Sequence, residues 1–178
     1  MATATDGGAL DDAGSMGDDA GAGPCVAPTE NSLCYDSTPR DYIGGGRSVE
    51  WSYPDITFSP RYTPDKLVEL QVEGPSSWGF WSFEFEASDF QVLGLGVYDG
   101  ATRYPFNGPN EPGLSVGGGG RGCNMLTGSF EVLELEVDAA GELQRFRANF
   151  IQHCEGGTAY MEGQIRYSAT TEQVDGGV

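Results

Sequence analysis
The chain has 178 residues, a formal net charge of −18 and a sequence pI near 4.1. A balance this acidic repels phosphate backbones and anionic bilayers, which argues against nucleic-acid binding and against attachment to membrane surfaces. Nine Phe, eight Tyr and three Trp supply enough aromatic mass for one sizeable core, and no apolar run approaches the ~18 residues that a spanning helix needs, so membrane insertion is not expected.

Residues 1–24 are mostly Asp, Gly, Ala, Ser and Thr, with Asp11-Asp12 and Asp18-Asp19 each followed by Ala-Gly. Such a segment buries too little apolar surface to offset its ordering entropy, so 1–34 reads as a flexible acidic tether ending in a small Cys25–Cys34 loop. The paired aspartates lack the spaced Asp-x-Asp-x-Asp-Gly order and the distal glutamate of a calcium loop. The segment after Met1 has neither the basic start nor the apolar run of a signal peptide. Either Met1 stands in place of a removed signal or the chain is cytosolic, and the cysteines favour the first.

The body, 35–169, is a series of short strand signals separated by Gly, Pro, Asp and Asn. Arg47 to Tyr53 places Val49, Trp51 and Tyr53 on one side, and Ile56-Thr57-Phe58 follows the break at Pro54-Asp55. Leu67 to Glu73 turns Val68, Leu70 and Val72 to one face. Gly79 to Glu86 turns Trp81, Phe83 and Phe85 inward and Ser82, Glu84 and Glu86 outward. Phe130 to Val137 and the segment after Ala140-Gly141 predict a hairpin in which Leu135 faces Phe146, Leu133 faces Ala148, Glu136 faces Arg145 and Glu134 faces Arg147. A change of parity between Val132 and Leu133 predicts a bulge there. Thr158 to Tyr167 supplies a following strand with Met161, Ile165 and Tyr167 on one face. No window gives a helix of ten or more residues, and Thr170 to Val178 reads as a disordered tail. The expected fold is all-β: eight to ten antiparallel strands in a β-sandwich or jelly roll, two layers deep, braced by disulfides.

Four cysteines allow three pairings, of which Cys25–Cys34 and Cys123–Cys154 is the simplest. No two stand at the spacing of a zinc knuckle, and His153 faces away from Cys154 on an extended strand, so no metal site is expected. No cofactor is expected either, although a calcium ion bracing the loops is compatible with the composition.

The segments Tyr98 to Phe106, Gly120-Arg121-Gly122-Cys123-Asn124 and Gln152-His153-Cys154-Glu155-Gly156-Gly157 resemble a family of exported bacterial β-domains that carry paired cysteine motifs of this kind. Asp41 to Gly46 looks like that family's opening strand. The resemblance implies a β-domain on a secreted or cell-surface protein, and no activity. The acidic tether is similar to the linker of bacterial lipoproteins, without their lipidated cysteine.

His153 is the sole histidine, and no Gly-x-Ser-x-Gly elbow accompanies it, so a nucleophile–histidine arrangement gives way to a structural histidine beside the disulfide. The pairs Glu84/Glu86 and Glu134/Glu136 would suit a glycosidase only on a concave sheet, and otherwise form a solvated face with cross-strand arginines. Trp78, between Pro75-Ser76-Ser77 and Gly79, is the best candidate for stacking on a sugar ring. The long segment from Tyr104 to Arg121 holds Asn107, Asn110 and a glycine run read as a flexible or tightly turned connection. Arg103 and Arg121 stand out in so acidic a chain, either for an acidic ligand or for pairing with native carboxylates. The expected function is a non-enzymatic extracellular binding module for a carbohydrate, using Trp78, Arg103, Tyr104, Asn107, Asn110, Arg121 and Asn124. The alternative is a structural or adhesive envelope protein acting through protein contacts. The expected partner is accordingly a glycan or an envelope protein.

Overall fold
The computed structural model of the chain describes residues 25–77 and 79–169. The expected tether over 1–24, Trp78 and the expected tail lie outside them. Ten strands are formed: β1 Ser32–Ser37, β2 Ser48–Ser52, β3 Thr57–Thr63, β4 Leu67–Glu73, β5 Phe80–Glu86, β6 Gly96–Arg103, β7 Gly113–Gly118, β8 Leu126–Val137, β9 Leu143–Cys154 and β10 Tyr160–Ser168. There is no helix among the described residues. All strands belong to one sheet in the order β2-β1-β10-β9-β8-β6-β7-β5-β4-β3. Every neighbouring pair is antiparallel except β6 and β7, which run parallel through two residue pairs, Thr102 with Gly113 and Arg103 with Leu114.

The all-β class and both disulfides are as expected, with Cys25 bonded to Cys34 and Cys123 to Cys154. The two facing layers are made differently from a sandwich of separate sheets. One continuous sheet curls into a half-barrel and packs its halves together. Aromatic rings bridge the interior: Phe83 meets Phe150 at 5.9 Å between centroids, Phe85 meets Phe146 at 5.3 Å and Tyr35 stacks on Trp81 at 5.1 Å. Phe83, Phe85, Phe146, Val68, Leu70 and Val72 are all fully buried, and each contributes about 1.5–3 kcal/mol of transfer free energy.

The β8–β9 hairpin keeps the expected register at Leu135–Phe146, Glu136–Arg145 and Glu134–Arg147, and a bulge falls between Val132 and Glu134. One pair differs. Val132, not Leu133, faces Ala148, because the bulge takes Leu133 out of the ladder as the extra residue. The charges also settle diagonally, since Arg145 reaches Glu134 at 2.8 Å and also pairs with Glu30.

Three expectations are revised. β1 starts at Ser32, so Leu33 and Cys34, assigned from composition to the tether, are buried members of the sheet. Asp41 to Gly46 forms turns and no strand: Gly45 and Gly46 have φ of +66° and +73°, a region closed to extended ladders. The glycine run is also part strand. Gly117 and Gly118 end β7, an inner strand between β5 and β6 with Leu114 and Val116 buried. Gly118 is required there because a Cβ would lie 1.9 Å from the Trp81 ring.

Candidate ligand site at the β5–β7 end
Three loops converge where β7 ends: 38–47 after β1, the segment before β5, and the turn 119–122. The turn is closed by paired backbone bonds. Gly118 donates to the Arg121 carbonyl at 3.0 Å and Arg121 donates to the Gly118 carbonyl at 3.1 Å. Two residues on, Cys123 is bonded to Cys154 at the end of β9, with the Cα atoms 5.2 Å apart. The Gly-Arg-Gly-Cys motif thus fixes the base from which Arg121 projects. In the first loop, Gly45 donates to the Asp41 carbonyl at 3.1 Å, and Arg47 Nε donates to the Gly44 carbonyl at 3.1 Å.

Arg121 reaches across to this loop. Its Nη1 donates to the Tyr42 carbonyl at 3.2 Å, and its guanidinium lies 5.8 Å from the Tyr42 ring centroid. Arg47 and Arg121 then line one hollow of about 150 Å³ with Ile43, Ser77, Trp81, Gly118 and Gly119. Tyr42, beside the Arg121 guanidinium, shows about half of its surface to solvent, at 54 %, whereas Phe80 alternates with Trp81 along β5 and turns its ring to the other face.

Among the described residues, five of the nine cationic side chains have no carboxylate within 4.0 Å, and two of those five line this hollow. Arg61 pairs with Glu69 at 3.0 Å, Lys66 with Asp89 at 2.8 Å, and Arg166 with Glu30 at 3.1 Å. Among the described residues, no carboxylate lies within 4.0 Å of Arg47, Arg103 or Arg121. The expected pairing of Arg103 and Arg121 with native carboxylates is therefore not formed. Both are held by carbonyls and rings instead, Arg103 by the Asn124 carbonyl at 3.2 Å and the Phe106 ring at 4.7 Å. Each retains donors facing solvent.

The expected site residues do not form one cluster. Arg121 lies at the hollow, while Arg103 and Asn124 meet each other. Asn110 lines a different hollow with Phe90 and Val97. Asn107 donates to Glu86 at 2.7 Å. Trp78 lies outside the described residues, and its chain neighbour Ser77 lines the hollow. Arg47, Ser77 and Tyr42 were not singled out from sequence, because only the curl of the sheet brings their loops to Arg121.

The carboxylates form a second polar region, on the convex face. Glu69 and Glu84 stand directly opposite each other on β4 and β5. Burial pushes the Glu84 carboxyl above its ordinary range and the Glu69 charge adds to this, while hydrogen bonds from Ser115 and Ser82 oppose it. Burial likewise raises the Tyr104 phenol, helped by Glu69, Glu86 and Glu84. A concave sheet carrying Glu84/Glu86 and Glu134/Glu136 is not formed, since the concave face is filled by the core and Glu134 is engaged by Arg145. His153 packs beside Tyr160, with the ring centroids 5.6 Å apart. Among the described residues, no group of three or more His, Cys, Asp or Glu converges as a metal site would need.

Comparison with known proteins returns no matching family model, no matching curated protein and no matching solved structure.

Proposed function
We propose that the chain is a non-catalytic extracellular binding module whose ligand is a carbohydrate bearing an acidic group, taken at the hollow between Arg47 and Arg121. The observation that carries this reading is the pair of guanidiniums lining one hollow without a carboxylate partner, in a chain of net charge −18. Guanidinium forks match carboxylate and sulfate oxygens in two-point hydrogen bonding. The half-exposed ring of Tyr42 offers an apolar face for the sugar, and Trp78 is the further stacking residue proposed from sequence. Two disulfides fit a non-reducing compartment, in keeping with the resemblance to exported bacterial domains.

The test is a glycan array probed with the full chain, followed by titration of any hit. Uronate-bearing or sulfated glycans are expected to bind, and Arg121→Ala to weaken them by about tenfold or more, as loss of a charge-assisted bond predicts. Trp78→Ala is expected to weaken neutral and acidic hits alike. A blank array, or affinity unchanged in Arg121→Ala, would sink the proposal. Binding should also survive a chelator, because neither guanidinium needs a metal to recognise an anion.

A further inference from the structure
A second surface, independent of that hollow, combines apolar exposure with negative charge. Phe90, Val92, Leu95 and Val97 are 78 %, 67 %, 71 % and 62 % exposed and fall within eight residues of chain. The loop and the start of β6 that present them are pinned in place. Leu93 is buried and donates to the Asp65 carbonyl at 2.8 Å. The Tyr98 hydroxyl accepts from Gly94 at 2.8 Å and donates toward the Val92 and Gly94 carbonyls, and the Tyr98 ring stacks on Phe130 at 4.6 Å. Apolar side chains held outward on a fixed loop are already organised for a partner.

Val97 belongs to two adjoining hollows of about 280 Å³ and 300 Å³. The first also holds Phe90 and Asp99, the second Ile151, Glu131 and Glu162. Together they form a groove across the outer face of β6, β8, β9 and β10. Its ionic lining is acidic throughout, and Asp36 stands beside Glu162 in the β1–β10 register. Neither hollow is lined by a lysine or an arginine, and Arg166, further along β10, is paired with Glu30 at 3.1 Å. The charge pattern selects the occupant. A second copy of a chain of charge −18 is repelled, as is an anionic bilayer. We propose that this groove docks a segment of another polypeptide in which apolar side chains are interspersed with lysine or arginine, the apolar ones against Phe90 and Val97 and the cations toward Glu131 and Glu162.

The experiment uses the full chain and three dye-labelled synthetic peptides of equal length: Leu/Lys, Ser/Lys and Leu/Glu. Fluorescence anisotropy should show the Leu/Lys peptide binding about tenfold or more tighter than either control, and weakening as salt is raised. Val97→Lys and the double change Glu131→Gln with Glu162→Gln should each weaken it by about tenfold. Melting temperatures of these surface variants are measured alongside, and should one unfold, the Leu/Lys against Ser/Lys comparison on the unmodified chain decides. Equal binding of Ser/Lys and Leu/Lys, or affinity unchanged in the variants, would overturn the proposal. A dimer in sedimentation velocity that Val97→Lys dissociates would give the groove to a second copy and overturn it equally. The glycan array does not read this face, so the two proposals fail separately.

Discussion

Single side chains account for several of the sharpest features of this protein. The Trp81 ring lies so close over Gly118 that a methyl group there would sit 1.9 Å from it. Gly118→Ala is therefore expected to destabilise the fold by about 1–3 kcal/mol, the usual cost of overpacking. Urea unfolding checks this, and an unchanged midpoint would show that the indole moves aside freely. Glu84 makes the opposite kind of prediction. Its carboxyl is held above the ordinary value, first by burial and then by the Glu69 charge, against the Ser115 and Ser82 hydrogen bonds. Between the ordinary and the raised value the folded chain keeps a proton that the unfolded chain has released, so stability falls as pH climbs through that window. Glu84→Gln retains an acceptor for the serines and removes the charge. The variant should melt higher than the wild type at about pH 7, with the difference closing toward about pH 4, where the wild-type carboxyl is protonated. A gap that stays constant with pH would rule out burial of the charge as its cause.

Among the elements, those whose two faces differ in chemistry were readable from sequence. β8 and β9 carry apolar residues on one face and opposed charges on the other, and only one register satisfies both, so their pairing and the bulge at Leu133 could be anticipated. β7 could not. Three of its six residues are glycine, and a glycine has no side chain to report which face it occupies. Arg121 was visible as a candidate because arginine is scarce here. Arg47 and Tyr42 were not, since their role depends on a loop folded against a turn, with Tyr42 and Arg121 79 residues apart in sequence. The disulfides act at this scale too. They close loops of unequal length, with sequence separations of 31 for Cys123–Cys154 and 9 for Cys25–Cys34. Chain entropy predicts that removing the longer one by paired Cys→Ser changes costs about 4 kcal/mol and the shorter one about 3 kcal/mol. Guanidinium titration of the two double variants orders them, and a reversed order would mean that native-state packing governs instead.

At the scale of the whole molecule, charge and connectivity dominate. With a net charge of −18, self-repulsion outweighs the few ion pairs on the surface, and added salt should stabilise by screening it. The melting temperature is expected to rise between roughly 0.01 M and 0.5 M sodium chloride, a span over which the screening length drops several-fold; a fall would mean that the ion pairs of Arg145, Arg166 and Lys66 matter more than the excess charge. Connectivity fixes which way the domain points. Ser32 pairs with Arg166 at one end of the barrel, and Ser37 pairs with Met161 at the other, where loop 38–47 begins. Ala169, bonded to the Gln144 carbonyl at 2.8 Å, therefore leaves the sheet at the end opposite the Arg47–Arg121 hollow. Cys25 is tied to Cys34 partway along β1. A chain coupled to a bead or sensor chip through its C-terminal side would stand with that hollow at its free tip, accessible to ligands too large to approach the support.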